Sequence, residues 1–268
     1  MYKPVAVSSL TNEQVSAVRS QYQELTQTFL TTSRDNPFYG YVKSVVANVA
    51  TLDRHVRAFE IYVPYLKPMM RVLDWGCRHA PDSCMMRKLH PTLDLHGCDF
   101  TADDFSVFHN YACLQFKQIE HEYKLPYETN SFDAVVSSGV LEHVGFEHES
   151  LLEIWRILKD DGIFAVTFLP NRHSLTENLS RLIGRFGGHN RLYGLAQTKN
   201  TLLRSGFVIE KCGYHQVFPT FGKSITPSRM LNGAAYVGAK LNRTVERIPV
   251  ANLVAANLFF VLRRVPHM

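Results

Sequence analysis

Two acidic side chains stand where buried strands of the predicted fold come to an end. Asp74 closes an apolar run that begins at Val72, with Gly76 two residues further on, and Asp99 follows a second strand-like run, Leu93–Cys98. In a doubly wound sheet, ligands bind outside the carboxyl ends of the strands, where a glycine lets the backbone approach them closely. A carboxylate there can accept hydrogen bonds from both hydroxyls of a ribose. The spacing therefore predicts a nucleoside-sized site that both acids reach.

A third segment whose side chains could take part in catalysis, residues 138–143, follows the buried run Phe132–Ser137. Glu142 and His143 are adjacent in it. A histidine, with an ordinary pKa of about 6.5, can act as a general base, and Glu142 would then orient His143 or bind the substrate. The alternative is that the pair shapes the pocket without moving a proton.

Together these segments resemble the class I S-adenosylmethionine-dependent methyltransferases, in particular their small-molecule subgroup. The resemblance rests on Val-Leu-Asp-Trp-Gly-Cys at 72–77, on Asp99, on the run from Phe132 and on Leu-Glu-His-Val at 141–144. It extends over residues 69–215. It implies an α/β fold with a Rossmann-like, seven-stranded, mostly parallel sheet whose last strand is antiparallel. It also implies S-adenosyl-L-methionine as the cofactor.

The resemblance assigns parts of the cofactor to residues of this chain. The implied cofactor-binding residues are Asp74, Gly76, Cys77, Arg78, Asp99, Phe100, His121, Glu122 and Ser138. The first four would meet the methionine end, Asp99 the ribose and Phe100 the adenine. His121 and Glu122 stand where the family meets the adenine amino group, although a solvated loop is an equal alternative. Ser138 would lie near the transferred methyl group, and Asp99 taken alone could instead cap a helix.

The turn after the first strand departs from the family pattern. Arg78 and Ala80 stand where the family usually has further glycines. Arg78 fits the pattern if its side chain points away and only its backbone lines the pocket. A positive φ at such a residue costs about 1 kcal/mol or more.

The chain divides into an N-terminal helical cap, residues 1–68, and a methyltransferase domain, residues 69–268. Thr11 and Gln14 have the spacing of a capping box, and apolar residues follow at helical intervals. After Pro68 the pattern changes to strands alternating with helices, which favours a parallel sheet covered on both faces. Residues 213–257 would be an insertion or lid between the last two strands.

The insertion contains an amphipathic pattern at residues 229–248. Its basic side faces away from an apolar stripe, which suits either of two structures. One is a lid helix packed on its own domain. The other is a helix that lies on an anionic membrane and brings the enzyme to a lipid-linked substrate.

Composition narrows the class of protein and its compartment. The 268 residues have 20% charged side chains and a net charge of +5, which is ordinary for a globular enzyme and does not require nucleic acid as a partner. The five cysteines form no Cys-x-x-Cys pair and no zinc spacing. The N-terminal residues do not have the pattern of a signal peptide. We therefore expect a cytoplasmic protein, with peripheral contact to the inner membrane face if 229–248 binds lipid.

The combined prediction is an S-adenosylmethionine-dependent methyltransferase that acts on a small or lipid-linked acceptor at oxygen. The alternative is a degenerate methyltransferase fold retained as a scaffold or interaction module without catalysis. A nicotinamide-dependent oxidoreductase is disfavoured, because no Gly-x-Gly-x-x-Gly sequence follows a predicted strand. The sequence indicates neither the identity of the acceptor nor the oligomeric state.

Overall fold

The computed structural model of the protein describes residues 10–47, 49–182, 189, 191–217, 241–242, 245 and 253–265. The predicted amphipathic helix at 229–248 and most of the predicted insertion at 213–257 lie outside the described residues. None of the helices in the described ranges is both long and apolar enough to cross a bilayer.

The described strands form one seven-stranded sheet. Its strands are β1 (Arg71–Trp75), β2 (Asp94–Asp99), β3 (Gln115–Gln118), β4 (Phe132–Ser138), β5 (Leu158–Pro170), β6 (Phe207–His215) and β7 (Asn257–Arg264). They are ordered β3-β2-β1-β4-β5-β7-β6, and β7 pairs antiparallel with both β5 and β6 while the other pairs are parallel. The mostly parallel sheet with an antiparallel last strand is confirmed.

Helices cover the sheet and form the N-terminal cap. They are α1 (Asn12–Thr32), α2 (Tyr39–Tyr41), α3 (Val49–Tyr62), α4 (Pro81–Leu89), α5 (Ser106–Ala112), α6 (Glu147–Ile157), α7 (Leu175–Leu182) and α8 (Leu195–Arg204). A π-helical turn, Val42–Val46, precedes α3, and a 3₁₀ turn, Val63–Tyr65, follows it. The predicted capping box of α1 is present: the Thr11 hydroxyl accepts from the Gln14 backbone and the Gln14 side chain accepts from the Thr11 backbone.

The central strands are apolar because both of their faces are buried. Successive residues of β1 point to opposite sides, so Val72 joins the hydrophobic core beneath the cap and Leu73 joins the core on the other face. The first core also contains residues of α1 and α3, such as Phe29 and Phe59. The cap and the sheet therefore share one hydrophobic core.

The order of the strands determines where a ligand-binding crevice can lie. The chain passes from β1 through β2 to β3 on one side, and returns to β4 on the other side of β1. This switch leaves a crevice outside the carboxyl ends of β1 and β4, where ligands bind in sheets of this kind. Asp74 and Asp99 are the residues that β1 and β2 deliver to that edge.

Candidate functional site

Asp74 is buried beside α4. Its Oδ2 accepts hydrogen bonds from the Ser83 hydroxyl at 2.6 Å and the Ser83 backbone at 3.3 Å. Burial raises the pKa of the Asp74 carboxyl, and the neighbouring carboxyl of Asp82 raises it further. Asp82 in turn accepts a hydrogen bond from the Tyr62 hydroxyl. Asp74 thus connects β1 to α4 and, through Asp82, lies close to the cap.

The turn after β1 is tied to the end of β2. The backbone N–H groups of Gly76 and Cys77 both donate to the Cys98 carbonyl, at 2.8 and 3.1 Å. Gly76 has a φ of +72°, and a Cβ built on it would lie 2.3 Å from Cγ2 of Val140. Only glycine satisfies both conditions, because a side chain would be strained at this φ and would collide with Val140.

The backbone of Arg78 contacts the end of β2, whereas its side chain contacts the N-terminal cap. Its N–H donates to Oδ2 of Asp99 at 3.0 Å, while its guanidinium lies 4.4 Å from the ring centre of Tyr41 and 5.0 Å from that of Phe38. The φ of Arg78 is +44°. The side chain therefore points away from the turn, which is the condition under which Arg78 fits the family pattern, and it contacts the cap.

Asp99 is held by backbone donors on both sides. Besides the bond from Arg78, its Oδ1 accepts from the Thr101 N–H at 3.2 Å. The alternative that Asp99 caps a helix is wrong, because α5 begins at Ser106 and the Ser106 N–H donates to Asp104. An ionised carboxylate has about four lone-pair sites, so Asp99 retains acceptor capacity for further donors.

A narrow, closely packed crevice lies beside Phe100, the residue that follows Asp99. Its lining residues are Trp75, Phe100, Ile119, Glu122, Tyr123, Leu125, Val144 and Ser150. The structure thus brings Phe100 and Glu122 together, as the resemblance implied. His121 instead serves its own loop, since its Nδ1 accepts from the N–H groups of Tyr123 and Lys124.

Ser138 ends β4 and joins it to β5. Its hydroxyl lies 2.9 Å from the hydroxyl of Thr167, and the Gly139 N–H donates to the Thr167 carbonyl at 3.1 Å. The Ser138 side chain also helps to lower the pKa of Asp82, which burial raises. Ser138 therefore stands between the strand ends and the buried carboxylates.

Glu142 and His143 have different environments. Glu142 is 6% exposed, and its Oε2 has no hydrogen-bond partner among the described residues. Burial raises the pKa of Glu142 to about 7, against the opposing effects of Arg191 and Arg54. The His143 side chain is 66% exposed, and its Nε2 lies 3.9 Å from Oε1 of Glu142, too far for a hydrogen bond. Glu142 faces the interior, whereas His143 faces solvent.

Comparison with known families agrees with this geometry. Residues 73–166 match the methyltransferase domain family. These residues are a class I methyltransferase domain. The matched range begins in β1 and ends in β5, so it contains the Gly76 turn, Asp99, the crevice and Glu142.

Two curated relatives of the methyltransferase domain are similar in sequence. A sterol 24-C-methyltransferase of Gibberella zeae is 28% identical over 173 residues, which are 58% of this chain and 45% of that protein. A protein of Mycolicibacterium smegmatis, named as a probable S-adenosylmethionine-dependent methyltransferase, is 28% identical over 155 residues, or 57% of each chain. The chain spans about half the length of these relatives.

Solved structures share the fold. The phosphoethanolamine N-methyltransferase 2 of Haemonchus contortus has a TM-score of 0.59 at 16% identity, covering 90% of this chain and 60% of that one. A protein in complex with a methyltransferase activator of Haloferax volcanii has a TM-score of 0.56 at 16% identity, with 90% and 98% covered. At this level of sequence identity, the similarity shows that the chains share a fold.

The sequence alone missed one group of residues that faces the site. Arg54 and His55 of α3, together with His215 at the end of β6, surround Phe168 of β5. No sequence motif indicates this group, because its residues come from three segments that are far apart in the sequence. Their proximity follows only from the docking of the cap on the methyltransferase domain.

Proposed function

We propose that this protein is an S-adenosylmethionine-dependent methyltransferase. The observation that carries the proposal is the Asp99 carboxylate, fixed at the carboxyl end of β2 by the N–H groups of Arg78 and Thr101. It has remaining acceptor capacity and is followed directly by Phe100, a wall of the crevice. A carboxylate in this position suits a ribose, and the aromatic and apolar side chains beside it, Phe100 among them, suit the face of an adenine ring.

The residues present fit the cofactor. Asp99 would hold the ribose, Phe100 and Glu122 would contact the adenine, and the turn at Gly76 would admit the methionine end close to the backbone. Arg78 does not oppose this arrangement, because its side chain lies on the cap. Asp74, Cys77, His121 and Ser138 stay predictions as direct contacts, since their nearest partners are protein groups.

The protein's own part in the reaction is to position the acceptor and to take its proton. When bound, S-adenosylmethionine supplies a methyl group that is already activated by a sulfonium centre. A hydroxyl acceptor must lose its proton during transfer, and a base with a pKa near the working pH is the most effective. Glu142 has that pKa and is buried at the end of β4, so we assign it as the proton acceptor. Exposed His143 is the weaker candidate.

The proposed acceptor is a small or lipid-linked hydroxyl compound. The proposal of oxygen as the target rests on Glu142, because a buried carboxylate with one oxygen that has no hydrogen-bond partner suits the removal of a hydroxyl proton. The named relatives act on different acceptors, a sterol in one case and phosphoethanolamine in another. The proposed acceptor is therefore argued from the residues of this chain and not from the names of those proteins.

The proposed location is the cytoplasm. All five cysteines are free thiols, and three of them, Cys77, Cys84 and Cys98, are buried. Unpaired cysteines are typical of a reducing compartment. Contact with the inner membrane face through 229–248 remains a prediction.

Comparative mass spectrometry tests the proposed reaction. Extracts of lipids, polysaccharides and small metabolites from cells with and without the gene are compared, and the purified protein with S-adenosylmethionine is then added to the deficient extract. We expect one compound to lack the mass of a methylene in the deficient cells and to regain it on addition of the protein. If the extracts match and no methyl group is transferred in vitro, the scaffold alternative takes the place of this proposal.

A further inference from the structure

Two consecutive side chains join the turn after β1 to the N-terminal cap. The guanidinium carbon of Arg78 lies 4.4 Å from the ring centre of Tyr41. The ring of His79, a residue that is 5% exposed, lies 5.9 Å from the same ring in an edge-on arrangement. Tyr41 is the last residue of α2. One side chain of the cap therefore contacts two successive residues of the turn.

Arg78 has a backbone conformation that is unusual for a residue with a side chain. The Ala80 N–H donates to the Cys77 carbonyl at 2.6 Å, which closes a β-turn with Arg78 as its first central residue. The φ of Arg78 is +44°, and a positive φ at this position of a turn is typical of glycine, asparagine and aspartate. The left-handed region is unfavourable for other residues, so it persists only where surrounding contacts hold it.

Hydrogen bonds hold the backbone of Arg78 on both sides. Its N–H donates to Oδ2 of Asp99 at 3.0 Å, and its carbonyl accepts from Nε2 of His109 at 2.7 Å. The bonds that tie the start of the turn to the Cys98 carbonyl end at Cys77. The contact of the Arg78 side chain with the cap is therefore a separate restraint on this residue.

The neighbouring side chain, His79, is enclosed by aromatic rings. Four ring centres lie within 6.5 Å of it, those of Tyr22 and Tyr41 of the cap and of Phe105 and Phe108. Burial lowers the pKa of His79 to about 3, so its ring is neutral and packs as an aromatic group. The turn cannot move relative to the cap without breaking these contacts.

We propose that Tyr41 and Arg78 are positioning residues for the cofactor. The proposal rests on the function proposed above, in which Asp99 binds the ribose. Tyr41 holds the side chain of Arg78, the Arg78 N–H donates to one oxygen of Asp99, and this bond orients the carboxylate. The cap and the ribose stabilise the same conformation of the turn, so each strengthens the binding of the other.

Arg71, at the other end of β1, makes the same two kinds of contact away from the site. Its N–H donates to Oδ2 of Asp133 at 2.8 Å, and its guanidinium carbon lies 5.1 Å from the ring centre of Phe132. These residues stand at the amino ends of β1 and β4, whereas ligands bind at the carboxyl ends. Arg71 therefore serves as a control for contacts that only stabilise the fold.

The first test needs no ligand. Amide hydrogen exchange is followed by NMR in the full-length protein, in Tyr41→Leu and in Tyr41→Phe, which keeps the ring. We expect exchange at the Arg78 amide to accelerate about three- to thirtyfold in Tyr41→Leu, as for the loss of a cation–π contact, and to stay within about twofold in Tyr41→Phe. The Arg71 amide should be unchanged in both. Equal rates at Arg78 in the two variants, or equal acceleration at Arg71, would overturn the proposal.

The second test is the affinity for S-adenosylhomocysteine, measured by calorimetry. Tyr41→Leu and Arg78→Met should each raise the dissociation constant about three- to thirtyfold, whereas Tyr41→Phe and Arg71→Met should leave it unchanged. The double variant Tyr41→Leu, Arg78→Met should lose less than the product of the two single effects, because both changes remove one contact. An unchanged constant in Tyr41→Leu and Arg78→Met, or a loss equal to the product, would contradict the positioning role.

The positioning role and the proposed function fail in different ways. If the unmodified protein binds S-adenosylhomocysteine and both single variants bind it equally well, the positioning role is wrong and the proposed function stands. If the unmodified protein binds none, the proposed function is wrong and the positioning role fails with it. Circular dichroism checks that each variant is folded, and Arg78→Met replaces Tyr41→Leu in the exchange test if the latter does not fold.

Discussion

Asp99 is the residue on which the proposed cofactor site most depends. Its carboxylate already accepts from Arg78 and Thr101, and the ribose would supply two more donors. For Asp99→Ala we expect the affinity for S-adenosylhomocysteine to fall between about tenfold and a hundredfold, because hydrogen bonds to a charged group contribute about 1.5–3 kcal/mol. Isothermal titration calorimetry measures the change.

A matched control for Asp99 is Asp133, which lies near the amino end of β4, at the opposite edge of the sheet. Asp133 also accepts from a backbone N–H, that of Arg71, and pairs with Lys159. Asp133→Ala should therefore leave the affinity for S-adenosylhomocysteine unchanged. If both variants lose affinity equally, the effect of Asp99 is on folding and its assignment to the ribose is wrong.

Glu142 is the residue that tests proton transfer. Glu142→Gln keeps the shape of the side chain but removes the base, so we expect turnover to fall between about a hundredfold and ten-thousandfold while S-adenosylhomocysteine still binds. In the unmodified protein the rate should rise with pH, reach about half of its maximum near pH 7, where half of the carboxyl is ionised, and level off above that. A greater loss in His143→Gln than in Glu142→Gln would assign the base to His143 instead.

The same carboxyl makes the stability of the protein depend on pH. Burial raises the pKa of Glu142 from 4.5 to about 7, so between these values the folded state binds more protons than the unfolded state. The free energy of unfolding therefore contains a contribution that falls as the pH rises through this window. Denaturant titrations of Glu142→Gln should show a smaller loss of stability from pH 5 to pH 7 than the unmodified protein. An equal loss in both would contradict the raised pKa.

The local sequence indicated some candidate site residues, but it could not show which of Glu142 and His143 is the buried one. Asp74, Gly76 and Asp99 could be found because each directly follows or ends a short apolar strand. The relative burial of Glu142 and His143 depends on packing against β5 and the cap, which adjacent positions in a sequence do not reveal. His121 was assigned to the adenine by position, but its Nδ1 is occupied by the backbone of its own loop.

At the scale of elements, the turn between β1 and α4 is tightly packed. For Gly76→Ala we expect a loss of about 2–4 kcal/mol in the free energy of unfolding, from the positive φ together with overpacking against Val140. Val140→Ala removes the two atoms nearest to the new Cβ, at 2.3 and 2.9 Å. Denaturant unfolding of the double variant should therefore show partial recovery; a purely additive loss would mean that Val140 does not limit the space.

The contact of Arg78 with the cap is a second element-scale feature. Its guanidinium lies over Phe38, while its backbone holds Asp99. A double-mutant cycle of Arg78→Met and Phe38→Leu should give a coupling of about 0.5–2 kcal/mol, the range for a cation over an aromatic ring. The pair Arg71→Met and Phe38→Leu, whose side chains have different partners, should be additive. Additivity in the first cycle would contradict the contact.

Element types were predictable where the period of apolar residues was clear. The apolar runs that begin at Val72, Leu93 and Phe132 lie in β1, β2 and β4, and α1 begins at Asn12, directly after the predicted capping residue Thr11. The start of β5 has no strand pattern in the sequence, because residues 159–161, which follow Leu158, are exposed and charged. The irregular pairing of β5 with β7 at Phe168 has no local signal, since Phe168 lies within a continuous apolar run.

At the scale of the whole molecule, the helical cap packs directly against the strands and the turn that carry the proposed site. It shares a hydrophobic core with the sheet, its Phe38 and Tyr41 rings contact Arg78 in the turn after β1, and Arg54 of α3 contacts Phe168 of β5. The sequence predicted a helical cap over residues 1–68, with a capping box at its first helix but no motif that assigns the cap a function. Its contribution became visible only once α3 was placed over the strand ends.

The central claim is that one cleft at the carboxyl ends of β1 and β2 binds S-adenosylmethionine. Calorimetric titration of the full chain with S-adenosylhomocysteine tests it most directly. We predict saturable heat for one ligand per chain, with the heat greatly reduced in Asp99→Ala and retained in Asp133→Ala. If neither S-adenosylhomocysteine nor S-adenosylmethionine produces heat or raises the melting temperature of the folded protein, the claim is wrong and only the fold remains.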